Sequence, residues 1–260
     1  VAPLRSVIDP AAEAAELQAY LGERYDHERL VHYEAQLDTE LQQIGDEQAL
    51  YRRSEGYLYN LTAFAMTGTK DPYRTWIDAA LPHGGRLLDV GCGIGADGLA
   101  LMAGGGHDVT FADFDNPSVA YLRDRLARRA AAGDERAGRA RIVDLDREAL
   151  PAGHDLAYAF DVLEHVQEPF ALLASMEAAA GLVLVNLLEP EPGETALHHE
   201  LPVPELLDHV TRHGLVRYRR FHGGRSHLVL YRGAGSTPPG ALGVLRGRAR
   251  RWASSRPTAG

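Results

Sequence analysis

The densest run of chemistry-bearing residues is Leu88-Asp-Val-Gly-Cys-Gly-Ile-Gly95. Glycines at Gly91, Gly93 and Gly95 let the backbone turn sharply and lie close against a ligand. Asp89 precedes the loop, and a second acid, Asp113, ends the next apolar run, where a carboxylate can accept hydrogen bonds from both hydroxyls of a ribose. Ala96 stands where the G-x-G-x-x-G dinucleotide fingerprint needs glycine, and no G-x-x-x-x-G-K-[ST] phosphate loop occurs. Cys92, between two of the glycines, reads as a small packed residue rather than a nucleophile. Two further groups could move protons. Glu164-His165 offers an imidazole whose ordinary pKa lies near neutrality, and His198-His199-Glu200 offers two more. Adjacent histidines point in different directions on a strand or helix, so they make a poor metal pair. A metal there would need partners such as His222 or Asp161, and no metal is expected.

Regular elements must hold these residues. Arg86 to Val90 predicts a short buried strand running into the glycine loop, followed by a helix over Ala96 to Ala103. Strands are expected at 108–112, 140–143, 155–160 and 182–187, with helices at 117–132, 169–180 and 204–212. A closing antiparallel pair spans 216–221 and 227–231 around Gly223-Gly224. Strand and helix alternation implies an α/β architecture, doubly wound around a mostly parallel, seven-stranded sheet. Ahead of it, residues 10–44, 47–66 and 71–80 read as helices, the first with Asp9 as cap and Pro10 in the opening turn. They form a helical cap or flank. Six of the eleven tyrosines fall in the first 60 residues, and Tyr57 and Asn60 stand three apart, so they can share a helix face.

Leu88 to Gly95 resembles motif I of the class I S-adenosylmethionine (SAM)-dependent methyltransferases. Val109-Thr-Phe-Ala-Asp113 resembles their second strand. Phe160-Asp-Val-Leu-Glu-His-Val166 is similar to the segment after the fourth strand in the subgroup that includes ubiquinone-biosynthesis methyltransferases. The likeness spans about residues 75–232. It implies SAM as cofactor and S-adenosylhomocysteine (SAH) as product. It also implies that Asp89 and the Gly91-Cys92-Gly93-Gly95 loop hold the methionine part. Asp113 would take the ribose hydroxyls, and Phe114 would flank the adenine. Asp144 or Asp146, with Leu145 between them, would lie near the adenine amino group, and Phe160 and Asp161 beside the methionine end. Asp144 reads equally well as a loop cap. His165, His198 and His199 are the candidate bases, and Tyr57, Asn60 and His199 the candidate acceptor contacts.

The totals narrow the acceptor. A formal net charge of −9 argues against a broad nucleic-acid surface, which needs clustered Lys and Arg. No N/D-P-P-Y/W run is present. The charge is uneven: residues 1–50 hold eleven acids and three arginines, whereas 233–260 hold no acid and five arginines. No stretch approaches the roughly 18 consecutive apolar residues of a membrane span, and Val1 to Glu16 lacks a signal-peptide pattern. The expectation is a cytoplasmic methyltransferase, monomer or homodimer, acting on an O, N or C nucleophile of a small molecule, with a peptide or protein acceptor, or a catalytically silent SAM-binding partner subunit, as the alternatives. It has a helical segment at 1–70, a cofactor domain at 71–232 and a basic, flexible tail at 233–260.

Overall fold

The computed structural model describes residues 6–189, 198–233 and 251. The expected tail therefore lies outside the described residues, except for Gly233 and Arg251. Arg251 meets Asp208 at 3.0 Å.

Residues 1–149 form one compact unit. It opens with α1 (Pro10–Leu21), α2 (His27–Val31), α3 (Tyr33–Ile44), α4 (Glu47–Arg53), α5 (Gly56–Met66) and α6 (Asp71–Ala80). The two long helices expected here are interrupted, and polar caps mark the breaks after α1 and after α4. Gly22 takes a left-handed φ of 58° and ends α1, while the Asp26 side chain accepts from Glu28 N to begin α2. Gly45, also left-handed, ends α3. Ser54 Oγ accepts from Tyr57 N at 2.9 Å and separates α4 from α5.

The unit continues with β1 (Arg86–Val90), α7 (Ala96–Ala100), β2 (Asp108–Asp113), α8 (Pro117–Ala131), α9 (Glu135–Arg139) and β3 (Arg141–Asp144). β1 pairs with β2 and β2 with β3, both parallel, in a register that aligns Asp89 with Phe111 and Asp113 with Asp144. α8 starts where Asn116 Oδ1 accepts from Val119 N, with Pro117 in its first turn. The short α9, capped by Asp134, was not anticipated.

The early helices are fixed by apolar packing and by buried cations, Arg125 among them. Leu17, Leu21, Leu30, Leu58 and Tyr59 pack with Ile94, Ala96 and Tyr121. Arg125, on α8, is 1% exposed. It donates to Glu13 and Glu16 of α1 and to the Ile94 carbonyl, and its guanidinium lies over the Tyr121 ring.

Residues 150–260 form the second compact unit. It contains β4 (His154–Ala159), α10 (Pro169–Ala179), β5 (Ala180–Leu188), α11 (Val203–Gly214), β6 (Leu215–Phe221) and β7 (Ser226–Arg232). β4 and β5 are parallel, and β7 runs antiparallel to both β5 and β6. The whole strand order is β3-β2-β1-β4-β5-β7-β6. This is the mostly parallel seven-stranded sheet expected, with its antiparallel edge.

Candidate functional site

In the first unit the glycine loop closes on the end of β2. Gly91 N donates to Ala112 O at 2.8 Å, and Gly95 N donates to Cys92 O at 2.8 Å. Gly91, Gly93 and Gly95 all have left-handed φ, at 68°, 51° and 70°, a region that side chains other than glycine enter at a cost. At Gly95, the residue before α7, a Cβ would also sit 2.4 Å from Leu122. Buried Asp89 stands just ahead, in β1.

Asp113 organises this loop. One carboxylate oxygen accepts from Gly93 N and the other from Phe114 N, each at 2.8 Å. Burial pushes its pKa up to about 6, even though the two backbone N–H groups pull the other way. Each oxygen keeps a second lone pair, so the carboxylate can still accept two hydroxyls. The Cys92 thiol is pushed well above its usual range by burial and by Asp113 and Asp89. That is the opposite of an activated nucleophile.

The edge beside Asp113 is built from distant parts of the sequence. Leu145 N donates to Asp113 O at 2.9 Å. Asp144 Oδ1 accepts from Asp146 N at 3.0 Å, the loop-capping role that was one of its two readings. Asp146 is held by Arg52 of α4 through two bonds of 2.8 Å, which lower its pKa. The same guanidinium lies 4.8 Å from the Phe114 ring centroid. Leu61 of α5 reaches within 3.0 Å of where a Gly93 Cβ would stand. Tyr57, four residues earlier, shares that helix face. The Tyr57 ring packs edge-on against Tyr51 at 5.1 Å. Asn60, on the same helix, is half-buried.

The second unit carries the remaining candidates. Phe160 and Asp161 follow β4 directly, and Asp161 takes a left-handed φ of 56°. Fully buried Asn186 of β5 stabilises this backbone: its amide oxygen accepts from Asp161 N at 2.8 Å, and its amide nitrogen donates to Asp161 Oδ1 at 2.6 Å. No local pattern marks Asn186, because its partner lies 25 residues away. Leu163–His165 forms a 3-10 turn. His199 N donates to Glu164 O at 2.7 Å, which brings the two histidine segments together. The His165 and His198 rings lie 4.9 Å apart, and buried Glu164 joins them, with donor atoms of all three within 4.8 Å of one another. Among the described residues, His198 thus groups its donor atoms with those of Glu164 and His165. The His199 side chain is exposed.

The chain resembles known proteins in sequence and in fold. Residues 88–181 match the model of a methyltransferase domain family. The ribosomal protein L11 methyltransferase of Bordetella parapertussis is 31% identical over 123 residues, 46% of this chain and 37% of that protein. The chain therefore spans little more than a third of the length of the curated relatives it matches. The solved mitomycin 7-O-methyltransferase MmcR superposes with a TM-score of 0.56 at 20% identity, covering 88% of this chain and 74% of that one. The magnesium protoporphyrin IX methyltransferase of Synechocystis, solved with SAH bound, gives 0.50 at 17% identity, covering 65% and 83%. At these identities the structural likeness speaks for the fold. The glycine loop and the Asp113 carboxylate lie on this sheet inside the matched span, so residues 88–181 belong to a methyltransferase domain, and SAM is its cofactor.

Proposed function

We propose that the chain transfers a methyl group to an O, N or C nucleophile of a small molecule. The observation that supports it most is Asp113, which grips the glycine loop through backbone N–H groups and keeps two lone pairs for a ribose. When bound, SAM supplies a positively charged, electrophilic methyl, and its departure leaves the neutral thioether of SAH. Asp89 and the loop hold the methionine part in this reading, and Phe114, braced by Arg52, flanks the adenine. His165, turned by its contact with His198, takes the proton that an O–H or N–H acceptor releases. Tyr57 and Asn60 shape the acceptor side from α5. Most of the rate would come from holding the nucleophile in line with the methyl.

The net charge of −9 favours an acceptor other than nucleic acid, and MmcR, which covers most of this chain in superposition, is by its name an O-methyltransferase of a small molecule. A protein acceptor is the second reading, because the Bordetella relative acts on ribosomal protein L11 by its name. A cytoplasmic monomer or homodimer remains part of the proposal. Among the described residues no helix is long and apolar enough to cross a membrane.

The test is transfer from methyl-labelled SAM to a panel of phenols, carboxylates, amines and an L11-type protein. Label in a small molecule, with His165→Ala lowering kcat while SAM affinity holds, is the expected result. Label in the protein alone would favour the second reading. SAM binding with no transfer to any acceptor would count against the proposal.

A further inference from the structure

A second histidine cluster lies in residues 150–260, away from His165 and His198. Glu177 sits in the last turn of α10, three residues before β5 begins. Asn186, which braces Asp161, lies roughly 20 Å further along β5 at about 3.3 Å per residue. His209 and His213 are four apart on α11, so both imidazoles leave the same helix face. Both converge on Glu177, which is 4% exposed. His209 Nε2 lies 2.7 Å from Oε1, and His213 Nδ1 lies 3.5 Å from Oε2. One donor atom from each of the three residues falls within 4.8 Å of the others.

Zinc bonds of about 2.0–2.2 Å to nitrogen and oxygen put tetrahedral donor atoms roughly 3.4 Å apart; the His213–Glu177 separation is already of that size, and the hydrogen-bonded His209–Glu177 pair would open by about 0.7 Å to admit the ion. The support around the donors is also present. Tyr231 of β7 donates its hydroxyl to Glu177 Oε1 at 3.0 Å. Such an outer partner orients a ligating carboxylate. The Phe170 ring packs edge-on against His209 at 5.7 Å. His209 and His213 keep side-chain exposures of 20% and 35%, so solvent reaches the two imidazoles. Two imidazoles and one carboxylate suit zinc, whereas magnesium and calcium prefer all-oxygen sets.

We propose that Glu177, His209 and His213 bind one zinc ion, which ties α10 to α11. The test uses untagged, chelator-stripped full-length protein, titrated with zinc by calorimetry and with cobalt by visible absorption. One equivalent of zinc is expected, together with cobalt bands of four-coordinate geometry. At zinc a hundredfold above Kd, Tm should rise by about 5–10 °C. His213→Ala, at the more exposed ligand, should weaken zinc at least tenfold, and Tyr231→Phe roughly tenfold. His198→Ala should leave the affinity unchanged. No zinc binding, or binding kept by His213→Ala and lost in His198→Ala, would overturn the proposal.

Discussion

In the proposed role, Asp113 has two duties that pull its proton in opposite directions. Burial favours the neutral acid and raises its pKa to about 6, whereas ribose hydroxyls need an ionised acceptor. Because the folded value lies above the ordinary carboxylate, the folded chain holds the proton more tightly than the unfolded one. The stability from that proton is complete below the ordinary carboxylate pKa of 3.8 and is lost as pH rises through about 6. SAM binding runs the other way. Its Kd should be flat above pH 6 and rise by up to about tenfold per unit below it, as the carboxylate is neutralised. Titration of SAM by calorimetry from pH 5 to 8 checks this. Asp113→Asn should remove the pH dependence and weaken SAM at pH 8 by about 1–3 kcal/mol, the range for hydrogen bonds to a charged group left unmade. A pH-independent wild-type Kd would detach Asp113 from the ribose.

At the scale of elements, α1 is held to α8 by a cation that cannot reach water. Arg125→Ala would leave Glu13, at 5% exposure, buried without its guanidinium. Breaking a buried pair from one side costs about 3–5 kcal/mol, so Tm in thermal denaturation should fall by roughly 6–20 °C for a chain of this size. A fall of less than 2 °C would mean that α1 is dispensable to the packing. This contact also shows what the sequence could reveal. The glycine loop, Asp113 and nearly every strand were legible because their signals are local: a buried apolar run, a turn glycine, a capping acid. Arg125 meets Glu13 across 112 residues, and Arg52 meets Asp146 across 94. Composition marks such residues as ordinary surface charges until the fold brings them together. The helix breaks at Gly22 and Ser54 were readable from capping chemistry, but a continuous Ala, Glu and Leu pattern masked them.

At the scale of the whole molecule, the early helices and the first three strands share one compact unit, residues 1–149. A boundary near residue 70 can therefore be tested directly by a truncated chain of residues 71–260. Truncation would remove Leu58, Tyr59 and Ala63 from Ile94, Ala96 and Tyr121, at about 1.5–3 kcal/mol for each large side chain. It would also strip Arg125 of both carboxylates, and Asp146 of Arg52. Those losses together reach the roughly 5–15 kcal/mol that holds a typical domain folded. The fragment should therefore bind SAM too weakly to measure and should lose its cooperative melting transition. The measurements are SAM calorimetry and near-ultraviolet circular dichroism on fragment and full chain in the same buffer. A fragment that keeps a sharp transition and a SAM Kd within threefold of the full chain would make residues 1–70 a separable cap whose duty is the acceptor alone. Loss of both would make α1 to α5 part of the folded core on which the glycine loop depends, through the same helix face that sets Leu61 against Gly93.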